Sequence, residues 1–253
     1  MKTNQENYLH AGWILTALRI VVGWTYFSAF WRRLILENKL VQDQAGYIGE
    51  KFNHFLPHAL GIKPIIEYLV SNPEALWWAM VFFTIVEGIV GLLLMLGLFT
   101  RLMSFGVFSL AMGILLGSGW IGTTCLDEWQ IGVLGVTTGF TIFVAGGGKW
   151  SLDNWLLQKY ARLKESKIFT WLATGELPLK GEAFKRIMAV ATVFLIGLTL
   201  FTNQVFHGGV YGKLHNKSVK PVVEISEVKW KESQISFDLM RVEGADVYGS
   251  FLI

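Results

Sequence analysis

Two charged residues stand where charge is expensive. Glu87 interrupts an apolar run from Leu76 to Phe99, and Arg19 interrupts another from Ala11 to Trp31. Each run is long enough to cross a bilayer as a helix. A charge at that depth faces a bundle interior or a polar cavity and has a partner. Counted from the same membrane face, Arg19 lies about 12 Å deep and Glu87 about 18 Å deep at 1.5 Å per residue. An arginine side chain spans that gap. One reading is a buried ion pair that fixes the register of two helices. The other is a proton or anion site inside the bundle. Gly12 and Gly23 on one helix, with Gly88 and Gly91 on the other, permit the close approach both readings need.

The remaining reactive groups lie outside the apolar runs. Cys125 is the chain's one cysteine, in Gly122-Thr-Thr-Cys-Leu-Asp-Glu-Trp129, so the chain holds no internal disulfide. A lone thiol is a packing residue or, at a helix start, a thiolate nucleophile. Asp127 and Glu128 oppose the thiolate, and Arg32 or Arg33 offsets them. Arg32-Arg33 directly follows the first run. Long loops translocate despite such charges; the functional reading is an anion site at the membrane surface, because guanidinium binds oxyanions bidentately. The five histidines all lie outside the apolar cores, so no intramembrane haem is expected. His54 and His58 have metal-like spacing, but Pro57 breaks the helix that would join them, and no metal is expected. No phosphate-binding or dinucleotide glycine loop is present.

The elements that position these groups are membrane helices. Of the 253 residues 53% are hydrophobic and 16% charged, against about 25% charged in soluble domains. A net charge of +3 gives no nucleic-acid surface. Five spans are expected: Ala11–Trp31, Leu76–Phe99, Leu102–Ile121, Trp129–Ala145 and Ile187–Phe206. The basic segment from Gly147 to Arg186 sets a cytoplasmic face. The N-terminus and Arg101 then lie inside, and the C-terminal tail outside. The outer loop from Arg32 to Ala75 contains a helix at Pro64–Val70. Ser71-Asn72-Pro73-Glu74 reads as a cap for the second span, and Ser151 as a cap for an interfacial helix carrying Leu152, Trp155, Leu156, Tyr160 and Leu163. After the fifth span, Val222–Trp230, Ile235–Leu239 and Val247–Ile253 read as strands. Three such strands are few for an independent domain, so this segment is completed by another chain or by further sequence.

A family pattern emerges from these pieces. Arg19, Glu87-x-x-x-Gly91, Gly97-Leu-Phe-Thr-Arg101 and Gly147-Gly-Lys149-Trp-Ser-Leu-Asp153 together resemble the DoxX-like membrane proteins. The long outer loop and Thr123-Thr-Cys-Leu-Asp-Glu-Trp-Gln130 are closer to the DoxD branch, the large subunit of thiosulfate:quinone oxidoreductase. The resemblance covers about Tyr8 to Tyr160, and the segment from Arg186 onward resembles the start of the small DoxA subunit. The implied fold is mainly α, a membrane-embedded four-helix bundle with a fifth transmembrane helix and a small C-terminal β segment. The expected division is residues 1–165 for the bundle, 166–186 for a cytoplasmic linker, 187–206 for the fifth helix and 207–253 for a periplasmic, DoxA-like β segment. The expected location is a bacterial or archaeal cell membrane, with lipid, thiosulfate, quinone and a second subunit or periplasmic protein as partners.

The implied activity is oxidation of two thiosulfates to tetrathionate, with electrons passing to a membrane quinone. Under that resemblance, Arg32 and Arg33 collect the dianion. Cys125 forms a thiosulfonate that a second thiosulfate resolves. Arg19 and Glu87 bind and protonate the quinone. Arg101, Lys149 and Asp153 are family-motif residues. Two other readings stay open. The chain could be a non-catalytic scaffold whose β segment docks a periplasmic redox partner, or a carrier for a small anion with Arg19 at its midpoint.

Overall fold

A computed structural model describes residues 10–42, 44, 46–121, 127–175, 177, 179, 181–213, 222–231 and 234–243. Cys125 and the expected third strand, Val247–Ile253, lie outside the described residues. Helix α1 (Thr16–Phe30) continues into a π-helical stretch, Trp31–Leu36. The long connection after it holds α2 (Lys51–Phe55) and α3 (Lys63–Ser71). Then come α4 (Pro73–Leu96), α5 (Thr100–Ser118) and α6 (Asp127–Ala145). Three short helices follow: α7 (Leu152–Lys159), α8 (Ala161–Glu165) and α9 (Lys167–Leu172). The long α10 (Gly181–His207) leads to strands β1 (Val222–Lys231) and β2 (Gln234–Glu243), paired antiparallel.

Helices α4, α5, residues Glu128–Ala145 of α6, and α10 are each long and apolar enough to cross a membrane. The chain is a multi-pass membrane protein with a mainly α fold. Their outward faces carry residues such as Trp78, Phe82, Ile89, Phe105 and Leu134, as helices bathed in lipid must. Inside, α1 lies along α4 and α5 along α6. Tyr26, Val90, Leu94, Met103, Val107, Leu110 and Ile142 form the shared core. The buried face of α1 is Thr16, Arg19, Gly23 and Tyr26, a three-and-four spacing that marks one helix stripe. Gly23 and Gly91 bring α1 and α4 nearly into backbone contact: a Cβ on Gly91 would sit 2.6 Å from the Gly23 carbonyl oxygen. With no hydrophobic drive between helices in lipid, such close packing is what holds them together.

The expected spans are all helical, and their ends shift for local reasons. α4 starts at Pro73, whose missing N–H suits the first helical position. Asn72 does not cap it with its side chain, which instead donates to the Tyr68 carbonyl at 2.7 Å. α4 stops at Gly97, whose φ of 66° is the left-handed helix-ending conformation. Ser151 does cap α7, accepting from the Asn154 amide at 3.1 Å. The expected interfacial helix breaks at Tyr160, where the backbone is extended. α10 begins six residues before the expected Ile187, with Lys185 and Glu182 paired on its first turns. It leans on the bundle near its C-terminal end. Trp129 Nε1 donates to Thr202 Oγ1 at 3.0 Å, and His207 Nε2 lies 3.1 Å from the Gly119 carbonyl oxygen. Its apolar middle is unburied.

Candidate functional site

The charged residues of the bundle sort into two clusters at opposite ends. At the Arg101 end, the turn between α4 and α5 places Phe99 at φ 49°. A non-glycine residue there is strained by roughly 1–2 kcal/mol. Asp153 holds it: its carboxylate accepts from the Phe99 amide at 2.7 Å, the Thr100 amide at 2.8 Å and the Thr100 hydroxyl at 2.7 Å. The Asp153 amide in turn donates to the Gly97 carbonyl at 2.9 Å. Burial pushes the Asp153 carboxyl above its ordinary range, and the hydrogen bonds from Thr100 and Phe99 and the charge of Arg19 oppose that rise.

Arg19 belongs to this cluster. Its guanidinium donates to the Leu94 and Met95 carbonyls, both at 2.7 Å, and to the Trp150 carbonyl at 2.5 Å. Leu94 and Met95 stand in the last turn of α4, where carbonyls run out of regular helical partners; the Leu94 carbonyl also accepts from the Gly97 amide at 3.0 Å. Arg19 thus caps α4 and ties it to the segment before α7. Arg101, fully buried, donates to the carbonyls of Phe143 at 2.9 Å and Gly175 at 2.6 Å and to that of Thr170. Lys149 sits 4.7 Å from the centre of the Trp13 ring, a cation–π contact. Every family-motif residue at this end is therefore used in joining helix ends.

Glu87 stands apart from that cluster. The Arg19–Glu87 pair weighed from the sequence is not formed; Glu87 pairs with Arg33, Nη1 to Oε2 at 2.5 Å. The same Nη1 lies 3.2 Å from Thr84 Oγ1. Both side chains are largely buried, 5% exposed for Glu87 and 15% for Arg33. The physical reason lies in α1. Its buried stripe of residues 16, 19, 23 and 26 continues to 30 and 33, and the π-helical stretch carries the chain through that turn. Phe30 packs on Gly88, and Arg33 reaches in beneath it. π-helical segments are rare and cluster at functional sites. Arg32, one residue earlier, is exposed and donates to the Ser28 carbonyl of its own helix at 3.2 Å.

Arg33 and Glu87 line a cavity of about 310 Å³. Its walls come from α4 (Met80, Phe83), from α5 (Gly113, Ile114, Gly117, Ser118) and from the long connection (Phe52, Phe55, Ile66). The helices of that connection cap the bundle end opposite Arg101. Lys51 and Glu128 also line the cavity. The sequence reading missed both for this site: Lys51 looked like one of many loop charges, and Glu128 like a neighbour of Cys125. No spacing pattern links them to Glu87, because they arrive from separate elements. Among the described residues, no group of three His, Cys, Asp or Glu side chains is placed to hold a metal ion.

A family model described as TQO small subunit DoxD matches residues 14–180, more than half of the chain. The chain belongs to the DoxD family. A second family model, TQO small subunit DoxA, matches residues 206–253. TQO denotes thiosulfate:quinone oxidoreductase, so both matches name subunits of a membrane oxidoreductase. The DoxD description reads small subunit, in place of the large-subunit designation expected from the sequence. The DoxD match holds all of the cavity residues and both charged clusters, and the DoxA match begins at the end of α10, where Phe206 and His207 are buried against the bundle. No solved structure matches the chain.

Proposed function

We propose that this DoxD-family chain oxidises thiosulfate to tetrathionate and passes the electrons to a membrane quinone. The observation that carries the reading is the Arg33–Glu87 pair at the wall of a mostly apolar, ring-lined cavity. Sites for small organic ligands are mostly apolar with a few convergent polar groups. Phe52, Phe55 and Phe83 suit the faces of a quinone ring. Arg33 is placed to donate to a carbonyl oxygen, and Glu87 to hand over a proton as that oxygen gains electron density. Arg19 takes no part in this reading, being committed to backbone carbonyls at the other end.

Cys125, in the α5–α6 connection, supplies the sulfur chemistry. Its thiolate and the outer sulfur of one thiosulfate form an S–S bond as two electrons leave for the quinone. A second thiosulfate attacks that outer sulfur, displaces the thiolate and departs as tetrathionate. Arg32, exposed beside the cap, and Lys51, at the cavity wall, attract the dianion. The positive-inside bias, applied to the basic segment around α7–α9, supports a cytoplasmic Arg101 end with the capped cavity outside. The competing scaffold reading draws on the exposed apolar residues Ile225, Val228, Trp230, Ile235 and Phe237 of the strands. Purified whole chain in lipid, given thiosulfate and a short-chain quinone, separates the two. Turnover that Cys125→Ser abolishes and Glu87→Gln slows supports the enzyme. Full turnover in Cys125→Ser removes the covalent step, and normal quinone reduction in Glu87→Gln removes the proton role.

A further inference from the structure

The reaction proposed above consumes protons. Two thiosulfates, one quinone and two protons give one tetrathionate and one quinol, with a new S–S bond and two electrons moved to the quinone. Which face of the membrane supplies the protons is not set by that equation. It is set by the route from water to Glu87.

Towards the Arg101 end, that route is closed by a tightly packed, mainly apolar core. Tyr26, Val90, Leu94, Met103, Val107, Leu110 and Ile142 form one buried core from the level of Glu87 down towards the helix-joining cluster, and Leu94, Val107 and Ile142 have no accessible surface at all. Below them the guanidinium of Arg19 and the carboxylate of Asp153 are bound to backbone and hydroxyl groups. Towards the capped end, Glu87 opens into the cavity, and the cavity wall carries polar groups. Ser118 is at the end of α5, Glu128 is in the first turn of α6, and Lys51 is at the start of α2. Glu128 is half-buried, between the cavity and the outside.

The geometry points to proton uptake from the capped end of the bundle, past Glu128 to Glu87. This inference rests on the proposed function for its substrate and on the packing alone for its direction. Its consequence is that protons are taken from the same face that presents the cap. With thiosulfate also bound there, turnover moves no net charge across the membrane. The titratable and charged groups around the path are Arg33, Lys51 and Glu87 on the cavity wall, Tyr26 of α1 in the core beside Glu87, and His54 and His58 on the segment that caps the cavity. Glu128 acts through Glu87 and is a relay group, not a catalytic one.

The test has two arms on the whole chain in vesicles of defined orientation. Gly113 lines the cavity about 8 Å inside the end of α5, and a Cβ there meets nothing within 4 Å. In a Cys125→Ser background, Gly113→Cys gives the chain a single thiol in the cavity. A membrane-impermeant thiol reagent should label it from the capped face alone. Labelling from the Arg101 face, or from neither, overturns the inference. This arm needs no turnover, so it decides the route even if thiosulfate proves not to be the donor. In the second arm, wild-type turnover with thiosulfate and a short-chain quinone should alkalinise the compartment on the capped face by two protons per quinol. Collapse of the membrane potential should leave the rate unchanged. Glu128→Gln should slow quinol formation about 10-fold or more, with a pH profile displaced to lower pH, and Glu128→Asp should restore most of it. Alkalinisation of the opposite compartment, or an unaltered pH profile in Glu128→Gln, contradicts it.

Discussion

Replacing Glu87 with leucine strands the Arg33 guanidinium against an apolar wall. Removing one partner of a buried pair costs about 3–5 kcal/mol, because the other charge remains without compensation. Arg33 keeps 15% exposure, so partial hydration from the cavity places the expected loss at the lower end, about 3 kcal/mol. That is roughly a 100-fold change in the folding equilibrium at 1.36 kcal/mol per decade. The double variant Arg33→Met/Glu87→Leu removes both charges and refills the site with hydrocarbon of similar size. It should recover to within about 1 kcal/mol of wild type, since well-packed apolar replacements of buried pairs are near neutral. Stability is read by reversible denaturation in mixed micelles through tryptophan fluorescence, and quinone reduction is measured on the same samples. The double variant should be stable and inactive. A stable and fully active double variant would show that the pair fixes register and nothing more, and a Glu87→Leu single variant as stable as wild type would refute its burial as a pair.

Further outcomes test the other cluster and the packing. Asp153→Asn keeps an acceptor for Thr100 but leaves the Phe99 amide unpaired, costing about 1–3 kcal/mol in the same denaturation assay. Because burial holds the Asp153 carboxyl above its ordinary range, the folded chain binds that proton more readily than the unfolded one. Stability should therefore be fullest below the ordinary carboxylate range and decline as pH rises through the raised value, and Asp153→Asn should remove that slope. Gly91→Val drives a side chain into the Gly23 carbonyl and the Phe27 backbone, at a cost of about 2–3 kcal/mol. Thr202→Val, which breaks the bond to Trp129, should cost about 1 kcal/mol and leave quinone reduction within about twofold of wild type.

The helical architecture was legible in the sequence because membrane spans announce themselves by length and hydropathy, the first strand by its β-branched residues and the second by alternation. The partner of Glu87 was harder. Depth along the helix axis brought Arg19 to within reach, but an arginine beside the last turn of a neighbouring helix has a better use for its donors. The carbonyls of Leu94, Met95 and Trp150 all accept from its guanidinium. Arg33 lay past the end of the first apolar run and was read as a surface anion site. The spacing of residues 16, 19, 23 and 26 extended by seven would have placed it on the buried stripe. Lys51 and Glu128 carry no such signal, since a cavity built from several separate elements is a tertiary fact. The role of Asp153 in holding Phe99 at a strained φ was likewise invisible, although its presence in a family motif was not.

The most direct test of the central claim is quinone reduction by the whole chain in lipid with thiosulfate as the donor, tetrathionate being assayed alongside. The account expects one tetrathionate per quinol formed, with turnover lost in Cys125→Ser. A folded sample that reduces no quinone with thiosulfate, or that reduces it without forming tetrathionate, would contradict it.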